Sequence, residues 1–206
     1  YRINYASMKK NDHIFSSINQ CKKDYTKISS GEVFSEHILM AYYYLNILNH
    51  HTNIKDLSSP KFLEIGGGNG NLASVLKWHN PDSVIIDIDL PETISHAIPY
   101  ISSLFPNAKI LMPNEANSNI KFDDYDFVFL TPQQLSLIDD SIVDISINTH
   151  SFQEMTHQQI NDYFEFIQKV AKHNSYFFTA NRVEKIPSGN DSYINETKVP
   201  PNRFSE

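Results

Sequence analysis

Leu63-Glu64-Ile65-Gly66-Gly67-Gly68-Asn69-Gly70-Asn71 is the stretch on which the reading of the fold turns. The apolar run 62–65 leads directly into Gly66, Gly67, Gly68 and Gly70, after which Leu72, Val75, Leu76 and Trp78 recur at helical spacing. That order is a buried strand, a sharp turn and a helix. Glycine suits the turn because a side chain would obstruct both a positive φ and the close approach of a ligand. A helix behind such a turn directs its positive end and free N–H groups at that ligand.

Working outward, strands and helices alternate. Residues 84–88 are a second β-branched run, and Pro91 opens a helix through Ile94, Ala97, Ile98, Ile101 and Leu104 that Pro106 closes. A short strand is expected at 109–112 and a clearer one at 126–130, stopped by Thr131-Pro132. A strand at 142–147 follows, then a helix over about 156–172 with Ile160, Tyr163, Phe164, Ile167 and Val170 on one face, then a strand at 176–180. The pattern predicts an α/β fold, a doubly wound, mostly parallel sheet with helices on both faces. Upstream, Phe34, Ile38, Ala41, Tyr42, Leu45 and Leu48 form one amphipathic helix, capped by Ser29 with Glu32 or by Ser35. Within it Tyr42-Tyr43-Tyr44 reads either as a sugar-stacking surface or as core with wet hydroxyls. The first thirty residues are weakly patterned, with Ile14, Phe15 and Ile18 at helical spacing, and the polar tail with Pro187, Pro200 and Pro201 takes no clear organisation. Two units are expected: an N-terminal helical segment or lid, 1–55, and a cofactor-binding domain, 56–206.

Composition bounds the partners. A chain of 206 residues that is 40% hydrophobic can bury a core, and no apolar run reaches the roughly 18 residues of a membrane span. The net charge of −7 and seventeen scattered basic residues argue against nucleic acid, which selects clustered Lys and Arg. The lone Cys21 forbids an internal disulfide and fits a reducing, cytoplasmic setting. The start, Tyr1-Arg2-Ile3-Asn4, carries neither an initiator Met nor a signal-peptide pattern, which leaves an upstream address open. A small molecule is the expected partner, and homo-oligomerisation is left open.

The glycine spacing separates two kinds of cofactor. The dinucleotide fingerprint G-x-G-x-x-G, read from Gly66, needs a third glycine where Asn71 stands. Asp87-Ile88-Asp89-Leu90-Pro91 then places an acid at the end of the second strand, where a carboxylate accepts both hydroxyls of a ribose. Asp89 is the better placed, as a ribose acceptor or as a loop acid capping the Pro91 helix, while Asp87 is structural or faces the same crevice. Thr131-Pro132-Gln133-Gln134 offers an amide to a purine edge, or is a helix-starting turn with exposed glutamines.

Chemistry is expected in Asn148-Thr149-His150-Ser151-Phe152-Gln153-Glu154-Met155, just past the strand 142–147 at the carboxyl end of the sheet. So many hydrogen-bonding groups after a buried strand need partners. His150 reads as a general base or as a structural histidine, and Glu154 as a base or a substrate-positioning acceptor. His50, His51, His79 and His157 read as solvated. Asp123-Asp124 and Asp139-Asp140 read as surface, so no metal site is expected.

Gly66, Gly68 and Gly70 preceded by Glu64 are similar to the first motif of class I S-adenosylmethionine-dependent methyltransferases, and Asp89-Leu90-Pro91 resembles the matching motif of small-molecule O-methyltransferases. With the 148–155 phrase, Thr131-Pro132-Gln133-Gln134 and Asn181-Arg182, the stretch from about Phe34 to Arg182 resembles a bacterial family of sugar O-methyltransferases. The resemblance implies the Rossmann-like class I fold, S-adenosylmethionine as donor with S-adenosylhomocysteine as product, and a sugar hydroxyl as acceptor. It implies a cofactor set of Glu64, Gly66, Gly67, Gly68, Gly70, Asp89, Leu90, Gln133 and Asn148, with His150 and Glu154 catalytic. The family's fold ends in an antiparallel strand pair, which residues 181–206 do not spell out, so a cut C-terminus is one expectation. The alternatives are an NAD-dependent oxidoreductase and a cofactor-binding domain without catalysis.

Overall fold

The computed structural model describes residues 36–182. The expectations for Ile14, Phe15, Ile18, Cys21, Phe34, the caps Ser29, Glu32 and Ser35, and the tail beyond 182 lie outside them. The first described element is α1 (Glu36–His51). The glycine stretch then forms β1 (Lys61–Ile65) and α2 (Asn71–His79), followed by β2 (Val84–Ile88) and α3 (Pro91–Leu104). Next come β3 (Ile110–Leu111), β4 (Phe127–Leu130), β5 (Val143–Thr149), α4 (His157–Val170) and β6 (Ala171–Ala180).

The six strands form one sheet in the order β3-β4-β2-β1-β5-β6, with every pairing parallel. Its central strands are buried on both faces, which is why they read as near-continuous apolar runs. Alternation sorts their side chains. Phe62, Ile85, Phe127, Phe129, Ile145 and Ile147 pack with α1, α2 and α3 on one face. Leu63, Ile65, Ile86, Val128 and Leu130 pack with α4 on the other. Since β1 is flanked by β2 on one side and β5 on the other, the chain reverses its winding between β1 and β5. Open α/β sheets bind ligands at the carboxyl ends of such a pair of strands.

Three expectations shift. Strand β5 starts one residue later than 142 and continues through Thr149, so Asn148 belongs to the strand and His150 is the first residue beyond it. Pairing with β1 and β6 keeps Asn148 in the ladder despite its polar side chain. The last strand begins at Ala171 rather than 176 and shortens α4, which ends at Val170; Asn174 at φ +65 and a register shift opposite residues 143–145 absorb the irregularity that hid its first half. Among the described residues, no helix is long and apolar enough to cross a membrane.

Candidate active site

The glycine turn is built by specific neighbours. Gly66 (φ +77), Gly68 (φ +59) and Gly70 (φ +78) all take left-handed backbone conformations. A Cβ on Gly66 would collide with the Ser151 side chain, and one on Gly67 with the Asp87 carboxyl. A Cβ on Gly68 would meet nothing within 4 Å, so this glycine faces open space. Three of the turn's own glycine amides are engaged within the protein. Gly66 N–H donates to Ile88 O at 2.8 Å, Gly68 N–H to Asp89 Oδ2 at 2.8 Å, and Gly70 N–H to Gly67 O at 3.1 Å.

Three acids gather beneath and beside this turn. Glu64 and Asp87 are register partners on β1 and β2, each 1% exposed. Burial pushes the Glu64 carboxyl well up, aided by the charges of Asp87 and Asp89, while the Ala73 amide in the first turn of α2 works the other way. Burial, with the charge of Asp89, also raises Asp87 well above the usual carboxylate range. Asp89 is half-buried at the strand end, where its Oδ1 accepts the Leu90 N–H at 2.7 Å. Leu90 itself is exposed beside it, and is the residue preceding the first turn of α3.

Across the switch point, the end of β5 makes a second tight construction. Asn148 is fully buried; its Nδ2 donates to Ile65 O at 2.9 Å and Ser151 Oγ at 2.6 Å, and its Oδ1 accepts from Asn181 Nδ2 at 2.7 Å. That amide therefore braces the β1 and β5 loops against each other rather than reaching into open space. His150 follows at φ +66, a conformation costly for a residue with a Cβ. Its N–H donates to Ala180 O at 3.0 Å, and its Nε2 shares a 2.9 Å hydrogen bond with the Tyr44 hydroxyl of α1. His150 Nδ1 has no partner among the described residues.

A cavity of about 270 Å³ joins the two constructions. Its walls include Glu64, Gly66, Gly67 and Gly68 from the β1 side, Thr149 and His150 from the β5 side, and His37 and Tyr44 from α1. Of the expected site residues, Glu64, Gly66, Gly67, Gly68 and His150 are thus brought together in one wall, whereas Gly70 faces Ile101 and Asp89 and Leu90 lie outside that wall. Tyr44 is a member that the helical pattern alone does not single out: it is buried like a core residue, but its hydroxyl reaches the cavity. Tyr43 is the exposed one of the three tyrosines.

Other expected residues lie elsewhere. Glu154 is exposed on the single turn Phe152–Glu154 and is not part of the cavity wall. Gln133 is exposed on the short helix Pro132–Leu137, whose start is capped by Thr131 and Gln134, and Gln134 also donates to Pro113 O at 2.7 Å. His79 is exposed, as expected, but its ring stands edge-on to Tyr42 with ring centres 5.6 Å apart, and partial burial lowers its pKa. Asp123 pairs with Lys61, and Asp140 with Lys169 at 3.3 Å. Among the described residues no group of three or more His, Cys, Asp or Glu could hold a metal ion.

The site can therefore accept donors at Glu64 and Asp89, admit a ligand over Gly68, and offer one ring nitrogen at His150. Comparison with known proteins bears on the fold. No family model and no curated protein matches the sequence. Among solved structures, the chain is similar to a candidate S-adenosyl-L-methionine-dependent methyltransferase from Methanococcus maripaludis, with 16% identity and a TM-score of 0.52 over 78% of this chain and 62% of that one. It is also similar to a geranyl diphosphate methyltransferase solved in complex with SAM, with 14% identity and a TM-score of 0.53 over 77% of this chain and 57% of that one. The chain thus spans about three-fifths of the length of these structures. The likeness is one of architecture, and the chain has the Rossmann-like class I fold that those methyltransferase structures carry.

Proposed function

We propose that this chain is an S-adenosylmethionine-dependent methyltransferase acting on a hydroxyl of a small molecule, with a sugar as the acceptor class. The observation that carries the reading is the cavity that joins the glycine turn after β1 to His150 after β5. Glu64, with one unpartnered buried oxygen in the wall, suits the ammonium of the donor's amino-acid end. Asp89 at the end of β2 suits the ribose, Leu90 beside it an adenine face, and open Gly68 the close approach of the donor. Asn148 serves the site by bracing the loops, and α1 supplies His37 and Tyr44 to the cavity wall. A pyrophosphate fits poorly, because the amides of Gly66, Gly68 and Gly70 are engaged and buried carboxyls lie beneath them.

When bound, S-adenosylmethionine supplies an electrophilic methyl on its sulfonium sulfur. The protein aligns the acceptor oxygen in line with the carbon–sulfur bond and receives the hydroxyl proton as the oxygen–carbon bond forms. His150 is the group placed for that proton. In the tautomer this role requires, Nε2–H donates to the Tyr44 hydroxyl oxygen and Nδ1 is the unprotonated nitrogen left to take the proton. Titration calorimetry with S-adenosylmethionine and with NAD tests the cofactor: binding of the first and not the second is expected, and the reverse overturns the reading. Incubation with labelled donor and a panel of sugars and glycosides, read by mass spectrometry, tests the acceptor class.

A further inference from the structure

Asp87 has no task in the reading above, yet it is a buried carboxyl beside the site. It is 1% exposed, and neither of its carboxyl oxygens has a hydrogen-bond partner. Its register partner Glu64 is equally buried, and Glu64 Oε2 is likewise unpartnered. The two differ in their access to ligand. Glu64 is in the cavity wall, whereas Asp87 lies behind Gly67, filling the space that a Cβ there would need. Two carboxylates side by side without a counter-charge are not a stable arrangement in a buried setting. No lysine or arginine is among the described residues that line the cavity. The neutralising charge must come from a proton or from a ligand.

We infer that Asp87 is a positioning residue for a primary ammonium: the Glu64–Asp87 pair keeps a proton while the cavity is free, and gives it up to solvent when an ammonium docks on Glu64. The inference rests on the methyl-donor reading, whose amino-acid end supplies that ammonium. The exchange balances simply. One carboxyl O–H bond breaks and its proton goes to buffer, so the pair passes from one negative charge to two, while the ligand keeps all its ammonium protons and its positive charge offsets the one gained. Asp87 lies behind Gly67 rather than in the cavity wall, and burial with the charge of Asp89 outweighs the Gly67 amide that favours its ionised form, so it holds the proton out of the ligand's direct reach. The Ala73 amide at the start of α2 favours charge on Glu64, the residue that touches the ligand. The other titratable groups facing the pair or its cavity are Asp89 at the end of β2, His37 and Tyr44 on α1, and His150 after β5. The consequence is selectivity: binding of an amino-acid-bearing nucleoside becomes linked to one proton, and binding of the same nucleoside without the amino acid does not.

Calorimetry in buffers of differing ionisation enthalpy, between pH 5 and 7, tests this with two probes. S-adenosylhomocysteine carries the ammonium, and 5′-methylthioadenosine lacks the amino-acid end. Binding of the first should release up to one proton and strengthen by up to about tenfold per pH unit. Binding of the second should release none through the pair and show a much flatter profile. In Asp87→Asn, which keeps the shape and removes the shared proton, the homocysteine compound should lose most of its proton release and pH slope. Equal slopes for the two probes in the parent protein overturn the inference, and that comparison needs no variant. An unchanged proton count in a folded Asp87→Asn protein does so as well. If neither S-adenosylmethionine nor S-adenosylhomocysteine binds at any pH, the methyl-donor reading itself fails, an outcome distinct from binding without proton release.

Discussion

Gly68 is the point where backbone constraint and ligand access coincide, since its φ is +59 and its missing side chain would point into open space. Its neighbours are glycines for a different reason: Gly66 makes room for Ser151 and Gly67 for Asp87. Gly68→Val should therefore eliminate measurable S-adenosylmethionine binding by calorimetry. Its stability cost should stay near the ~1–2 kcal/mol of a left-handed non-glycine residue, because no packed group is displaced. Unchanged affinity would remove the glycine turn from the site. On the opposite wall, His150→Gln should leave donor affinity nearly intact and lower turnover by roughly 10²–10⁴. Tyr44→Phe should lower it by less, about tenfold, since the ring keeps its packing and only the hydroxyl that fixes the imidazole is lost. If Tyr44→Phe has the same effect in the His150→Gln background as in the parent, the hydroxyl acts independently of the histidine.

At the scale of elements, how much was legible depended on how local the cause was. The turn between β1 and α2 is written in adjacent residues, and so are the Pro91 start of α3 and the Thr156 cap of α4. Glu64 and His150 could be named as site residues for the same reason. Tyr44 could not be distinguished from core, because its partner lies 106 residues away and its phase on α1 equals that of a buried residue. Asn148 and Gln134 look like ligand groups in sequence, and only the fold reveals that their amides are engaged in bracing loops. Lys77, a residue that the sequence reading does not single out, is 6% exposed, donating to Ser83 O at 2.5 Å and pairing with Asp126 at 2.6 Å. Burial works against ionised Asp126, but hydrogen bonds and charge from Lys77 and the Lys109 amide outweigh it and hold its pKa down. The lysine thus ties α2, and the glycine turn at its head, to the entrances of β2 and β4. Lys77→Met should cost about 1–3 kcal/mol in urea unfolding, below the range for a fully buried pair because Asp126 is partly solvated. Much of that cost should vanish in the Asp126→Asn background; a loss under about 0.5 kcal/mol in the single variant would make the tie incidental.

For the whole molecule, the buried acid pair and the Lys77–Asp126 pair set opposite pH limbs of stability. Glu64 and Asp87 are raised in the folded state, so the stability they contribute is complete below their unfolded values near 4. It is lost as pH rises toward their folded values, because the unfolded chain has already released protons that the folded chain keeps. Asp126 is lowered, so its contribution is present above its unfolded value and is lost as pH falls through the folded one. The ligand-free protein should therefore be most stable on the acid side of neutrality. Each retained proton costs about 1.4 kcal/mol per pH unit between the unfolded and folded values. Thermal melts from pH 5 to 8.5 should show a falling Tm in the parent protein. Asp87→Asn should flatten that fall, since it removes one retained proton and relieves Glu64 of a like charge. S-adenosylhomocysteine should raise Tm most at the alkaline end, where its ammonium replaces the proton that the pair no longer holds cheaply. A Tm in the ligand-free parent that climbs steadily from pH 5 to 8.5 would mean that Glu64 and Asp87 are both ionised in the folded protein, met by a counter-charge from outside residues 36–182.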